Sequence, residues 1–348
     1  MIYDHFGLHT RPFRTTPDRD AYYPSSTHER TLGAIHRELD DQAGIICLTG
    51  LNGIGKTLLL HVLQDQLSDN YRCIFLTNCR FRNRAELLQS LLFDLDLAYT
   101  NMREHELRLS FMKSCLDHYQ GGGSTLIVAD EAHQLSSDLL EELCILNNLA
   151  GSYGKVIQIV LSGLPSLADK FLLPELSQYM HYGYAKLQLQ PLETDEAADY
   201  LLHQIRRCGG IPEKVLGEDV LDILSHAGKG IPRTMNQAAH TAFRFAFEAE
   251  SAIVDAEAAV EAINLLGLDD GEAEAIHTII PGLPRVIVEP KSSAHEEKSI
   301  HPAPLLSFQM NRDNEPLTYV YGGLKAEDEH TQIEELQKAI NTARTRTG

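Results

Sequence analysis

The chain has 348 residues, 43% of them hydrophobic and 23% charged, with a formal net charge of −19, the make-up of a globular protein with room for two domains and a tail. That charge excludes a surface that grips nucleic acid broadly, because phosphates are held by Lys and Arg, although it leaves room for a local basic patch. No apolar run reaches bilayer length, Met1 to Phe6 lacks the basic and apolar regions of a leader, and the six cysteines form no C-x-x-C pair, so a cytoplasmic protein with reduced core thiols is expected.

Residues 1–28 carry aromatics and prolines without a clear period, including Phe6, Pro12-Phe13, Pro17-Asp18 and Tyr22-Tyr23-Pro24. This reads as an irregular arm, either lying over a bound base or only covering apolar surface. Leu32, Ile35 and Leu39, three and four apart, predict a helix over 28–41. The apolar run Gly44 to Thr49 then predicts a buried strand, followed by Gly50-Leu51-Asn52-Gly53-Ile54-Gly55-Lys56-Thr57, and Leu58 to Leu63 reads as a helix.

Strand, glycine loop and helix are the context that G-x-x-x-x-G-K-[ST] requires. Glycines let backbone N–H groups turn inward around a phosphate chain, and the helix start adds its dipole and its unpaired donors. Gly50, Asn52, Gly53, Ile54, Gly55, Lys56, Thr57 and Leu58 are therefore the candidate nucleotide-binding residues. Lys56 is expected to reach the β and γ phosphates of ATP, and Thr57 to hold Mg²⁺.

A strand is predicted over 73–77, helices over 84–94 and 102–119, and a break at Gly121-Gly122-Gly123. Thr125 to Ala129 then reads as a central strand ending in Asp130-Glu131, at the strand end where ligands of open α/β sheets gather. Asp130 fits a carboxylate that orients Mg²⁺, and Glu131 fits the base that polarises the attacking water. A helix over 137–149 and a strand over 156–162 complete a mainly parallel sheet covered on both faces. Beyond Pro191-Leu192 only helices are predicted, over 196–208, 218–226, 234–249 and 255–266, forming a small all-α lid. Acidic and proline-rich composition past Leu268 predicts a largely disordered tail, with one short helix over 327–343 that either docks or stays solvated. The expected division is an arm at 1–28, a nucleotide-binding domain at 29–192, the lid at 193–268 and a tail at 269–348.

Tyr3-x-His5-Phe6-Gly7-Leu8, Pro12-Phe13, Thr16-Pro17-Asp18, the glycine loop, Asp130-Glu131-Ala132-His133-x-Leu135-Ser136, Gln158-Ile159-Val160-Leu161 with Gly163-x-Pro165, and Gly230-Ile231-Pro232-Arg233-x-x-Asn236 occur in order. Together they resemble the AAA+ ATPases of the general secretion pathway protein A family, over about residues 1–268. The same core is similar to that of transposition-regulator ATPases. The resemblance implies a P-loop NTPase fold, an ATP-driven homo-oligomer with nucleotide between subunits, and a role for Arg233 in reaching the γ-phosphate from the lid. A surface arginine at a helix start is the alternative for Arg233.

Two departures qualify the activity. Leu164 stands where the family has a polar side chain that aligns water, and leucine cannot hydrogen-bond. Residues 178–186 contain no arginine where the family has some. Lys186 offers only a point charge in its place, and the cluster of Tyr179, His181, Tyr182 and Tyr184 reads as an altered subunit contact. The expectation is an ATPase with Glu131, Lys56 and Arg233 as catalytic residues and Thr57 and Asp130 at the metal. Its hydrolysis should be slow or partner-dependent, and its nucleotide state should control assembly with a protein partner in secretion or pilus-type machinery. An ATP-dependent DNA-binding regulator and a nucleotide-binding scaffold without turnover are the alternatives.

Overall fold

Continuous apolar runs in the sequence become strands buried along their whole length, because helices cover both faces of the sheet they form. In a computed structural model, which describes residues 2–268 apart from 152, 153, 182 and 218 and the side chains of 180 and 181, five parallel strands make this sheet. In chain order the elements are α1 (Ser26–Asp40), β1 (Ile45–Thr49), α2 (Lys56–Gln66), β2 (Tyr71–Leu76), α3 (Arg84–Asp94), α4 (Glu104–Gln120), β3 (Ser124–Ala129), α5 (Ser137–Asn147), β4 (Ile157–Gly163) and β5 (Tyr184–Gln188). Helices α6 (Thr194–Arg207), α7 (Val220–Gly228), α8 (Pro232–Glu248) and α9 (Ala256–Leu266) follow. All described residues lie in one unit, Met1–Pro284. The expected tail and its helix over 327–343 fall outside them.

The strand order is β2-β3-β4-β1-β5, with Cys47 level with Leu161, and Ala129 also level with Leu161 from the other side. Period-two alternation sorts the side chains. Ile46, Leu48, Val128 and Val160 pack with Leu32, Ile35 and Leu39 of α1 and Leu59, Leu60 and Leu63 of α2. On the other face Ile45, Cys47, Ile127, Ile159 and Leu161 meet the leucines of α3, Phe111 of α4, and Leu140 and Leu143 of α5. The neighbouring parallel strands β1 and β4 thus end at the same end of the sheet, where Gly50 N–H donates to Gly163 O at 3.2 Å.

The third core is helical. Leu201 and Ile205 of α6, Leu224 of α7, Met235 and Phe243 of α8 and Ala259 and Ile263 of α9 close around it. Phe6, Leu8 and Phe13, from the segment read as an irregular arm, are buried in the same core. Phe6 and Phe13 stack edgewise on Phe243, with ring centroids 5.0 and 5.4 Å away. The arm also holds two short helical turns, Ile2–His5 and Arg19–Ala21.

The segment expected as a subunit contact also contributes to the fold of its own chain. Tyr184 begins the edge strand β5, which pairs in parallel with β1, and both Tyr179 and Tyr184 pack against the core beneath α5. His181 and Tyr182 lie outside the described side chains. The strand escaped sequence reading because an edge strand half open to water has no continuous apolar run: Tyr184, Ala185 and Leu187 are half-buried, and Lys186 and Gln188 are exposed.

Candidate nucleotide site

Residues 50–55 form a tight turn between β1 and α2, made possible by two glycines with positive φ, Gly53 at +79° and Gly55 at +106°. Neither position tolerates a side chain for spatial reasons either. A Cβ at Gly53 would lie 2.6 Å from Arg233 Cβ, and one at Gly55 would lie 2.7 Å from His28 Nε2. Ile54 is buried between them and anchors the turn in the core.

Lys56 opens α2 and is only 5% exposed, its ammonium donating to Gly50 O at 3.0 Å and Leu51 O at 2.9 Å. Burial lowers its pKa from the ordinary lysine value, while the carboxylates Glu131 and Asp130 pull it back up. Thr57 Oγ1 donates to Asp130 Oδ2 at 2.6 Å, so the hydroxyl of the glycine loop and the carboxylate at the end of β3 meet directly. Asp130 is 4% exposed and its second oxygen, Oδ1, is buried without a hydrogen-bond partner. An orphaned carboxylate oxygen beside a hydroxyl is a hard oxygen-donor set that suits Mg²⁺, an ion which takes one or two protein oxygens and keeps waters and substrate phosphates for the rest. Among the described residues no cluster of three or more His, Cys, Asp or Glu is placed to hold a metal.

Glu131 ends the strand in a left-handed conformation, φ +55°, which costs a non-glycine residue about 1–2 kcal/mol and turns its carboxylate away from the sheet into the cleft. The turn is braced from behind. Lys170 Nζ donates to His133 O at 2.6 Å and Leu135 O at 2.5 Å, and His133 Nδ1 lies 3.5 Å from Glu131 Oε2.

Arg233 reaches the loop from α8. Its Nη1 donates to Asn52 Oδ1 at 2.8 Å, and its backbone N–H donates to Gly53 O at 3.1 Å. Gly230 makes this approach possible: it has φ +67°, and its backbone is so close to Leu192 that a Cβ would sit 2.1 Å from Leu192 O. The cleft is thus walled by the glycine loop, Glu131, the start of α8 and arm residues from Pro12 to Ala21, with Tyr200 and Gln204 of α6 behind. Gly50 and Ile54 lie in the turn, and Asn52, Gly53, Gly55, Lys56, Thr57, Leu58, Glu131 and Arg233 all border the cleft.

Two contributors, His28 and Ser162, were not read from the sequence, and the arm was read only as one of two alternatives. His28 on α1 supports the loop from below, Nε2–H donating to Ile54 O at 3.2 Å while Nδ1 accepts from the Ser25 hydroxyl at 2.6 Å. Burial holds that imidazole below the ordinary histidine pKa, so it stays neutral and can serve both bonds. Nothing in the local sequence marks it; only packing does. The arm supplies part of the cleft wall, tied to the helices by Asn236 Nδ2–H donating to Arg14 O at 2.7 Å and by the Tyr200 hydroxyl donating to Asn236 Oδ1 at 3.0 Å. Ser162, two residues before Leu164, is fully buried with its hydroxyl unpartnered, and continuing the register of Ala129 with Leu161 by one residue sets it beside Asp130.

Comparisons agree with this architecture. Residues 37–171 match the AAA domain family. General secretion pathway protein A of Aeromonas hydrophila is 28% identical over 272 residues, covering 78% of this chain and 49% of the relative, so the chain spans about half that relative's length. The resemblance carried by the motifs is therefore borne out. Among solved structures, Cdc6p of Pyrobaculum aerophilum superposes with a TM-score of 0.52 at 18% identity over 68% of each chain. ORC1 of Aeropyrum pernix, solved in complex with DNA, gives 0.55 at 17% identity over 78% of this chain and 72% of that one. At such identities the likeness is one of fold, and it is the P-loop AAA+ fold anticipated. No helix among the described residues is long and apolar enough to cross a membrane.

Proposed function

We propose that this AAA+ chain binds Mg-ATP at the glycine loop and hydrolyses it slowly, its nucleotide state controlling assembly with other copies and with a protein partner of secretion or pilus-type machinery. The observation that carries the nucleotide reading is the 2.6 Å bond from Thr57 Oγ1 to Asp130 Oδ2, with Lys56 on one side and Glu131 on the other. It joins the two halves of the chemistry, from the start of α2 and from just past the end of β3.

In this reading Lys56 and the loop N–H groups hold the phosphates, and Thr57 and Asp130 hold the metal. Bound Mg²⁺ would neutralise charge that develops on the transferring phosphoryl group. Glu131 accepts the proton of the attacking water, and Arg233, five donors on a rigid fork, reaches the γ-phosphate across the cleft from the start of α8. The link to secretion rests on the likeness to General secretion pathway protein A, which covers half of that protein. Slow turnover rests on Leu164 in place of a polar side chain and on the absence of arginine in residues 178–186.

Nucleotide binding by calorimetry and phosphate release, measured on the wild type, Lys56→Ala and Glu131→Gln, test the proposal. Lys56→Ala should weaken ATP binding at least about a hundredfold, and Glu131→Gln should bind ATP as the wild type does while turnover falls by about 10²–10⁴-fold. Turnover equal in the wild type and Glu131→Gln would remove the enzyme assignment and leave a scaffold that only binds.

A further inference from the structure

The back wall of the cleft holds a polar atom that the phosphate chemistry does not use. Gln204, on α6 one turn after Tyr200, is 2% exposed, and its Nε2 donates to Ala21 O at 2.9 Å. A backbone carbonyl only accepts, so this bond fixes which way round the amide sits: the NH₂ faces the arm, and Oε1 faces elsewhere. Oε1 is buried and has no hydrogen-bond partner. The arm cannot easily re-register to change this. Asp18 lies 3.6 Å from Arg14 and 3.5 Å from Arg207 of α6, and it caps the turn Arg19–Ala21 by accepting from Asp20 N–H.

A buried acceptor left unpaired costs free energy that a ligand donor recovers, and a ligand acceptor placed against it is penalised. Purines differ at this point: adenine carries an amino donor at position 6, guanine a keto acceptor. Gln204 lines the same cleft as Lys56 and Thr57, behind the arm residues Pro17, Asp18 and Ala21. We infer that Gln204 is the base-selecting residue of the nucleotide site, its amide oxygen accepting from the 6-amino group of adenine and rejecting 6-keto purines. The inference rests on the nucleotide reading above and adds to it which side chain reads the base.

The test uses the full-length chain with Mg²⁺ and four titrated nucleotides: ATP, GTP, inosine triphosphate and purine riboside triphosphate, the last having only hydrogen at position 6. Wild type should bind ATP at least about tenfold more tightly than each of the others, since a site built around a hydrogen bond discriminates strongly against ligands lacking it. Gln204→Met, which keeps the length and apolar stem, should bring ATP and the purine riboside within about threefold of each other while triphosphate binding persists. Equal binding of ATP and purine riboside triphosphate by the wild type overturns the inference and spares the nucleotide reading; this arm needs no variant to fold. Retained preference for ATP in Gln204→Met also overturns it. Failure of every triphosphate to bind overturns both.

Discussion

Gly53→Ala probes the joint between the glycine loop and α8 more sharply than any change at a charged residue. A methyl at this position meets Arg233 Cβ at 2.6 Å, about 1 Å inside ordinary contact, and Cβ lies next to the backbone where no rotamer can swing it aside. The backbone must also hold an alanine at φ +79°. The left-handed conformation costs about 1–2 kcal/mol, and overpacking adds about 1–3 kcal/mol. The sum is about 2–5 kcal/mol unless α8 withdraws. If α8 withdraws, it breaks the 3.1 Å bond from Arg233 N–H to Gly53 O and lifts the guanidinium off Asn52. Thermal unfolding should therefore shift down by roughly 6–12 °C for a central loss of about 3 kcal/mol. Pairing the change with Arg233→Gly, which removes the opposing Cβ, should return about 1–3 kcal/mol relative to the sum of the single changes. Strict additivity of the pair, or a Gly53→Ala protein within about 0.5 kcal/mol of wild type, would refute the argument that steric contact couples loop and helix.

His28 should give the loop a pH signature. Its folded pKa is lowered by burial, so as pH falls below about 6.5 the unfolded chain takes up the proton first. The stability its neutral ring contributes is complete above that pH and is lost on the way down towards the depressed folded value. Melting curves between pH 7.5 and 5.5 should show a steeper fall for wild type than for His28→Gln, and parallel curves would disprove it. Glu142 is fully buried on α5, receiving Arg108 Nε at 2.7 Å and Nη2 at 2.8 Å, with Arg84 at 3.6 Å. Glu142→Ala should cost about 3 kcal/mol in urea unfolding, the lower end for a broken buried pair because Arg108 keeps some contact with water. With a net charge of −19, a gel shift on duplex DNA should show no ATP-dependent complex; such a complex would favour the transposition-type reading instead.

Much of the candidate site was legible because its parts are local. A glycine loop between an apolar run and a helix, and two carboxylates at a strand end, announce themselves within a dozen residues, and helix α3 falls on the predicted residues 84–94. Asn83 accepting from Glu86 N–H explains that sharp start. Features that depend on distant packing were not legible. Periodicity says nothing of His28 meeting Ile54, of an edge strand at Tyr184–Gln188, or of an arm whose residues border the cleft on one side and a helical core on the other. Of the two readings of that arm, the cover of apolar surface is seen in Phe6, Leu8 and Phe13, while Thr15 to Asp18 border the cleft without a base to test the other.

That arm also sets an order of events during synthesis. Phe6, Leu8 and Phe13 are made long before α8, yet Phe6 and Phe13 stack on Phe243 of that helix, and the Tyr3 hydroxyl waits for His240, 237 positions later. Until α8 has emerged these apolar side chains have no core to enter, although the sheet of β1 to β5 can close without them. Contacts of such separation form late and slowly. The arm's side of the cleft wall therefore cannot be completed until α8 has emerged, and a nascent chain has a glycine loop well before it has a cover for one.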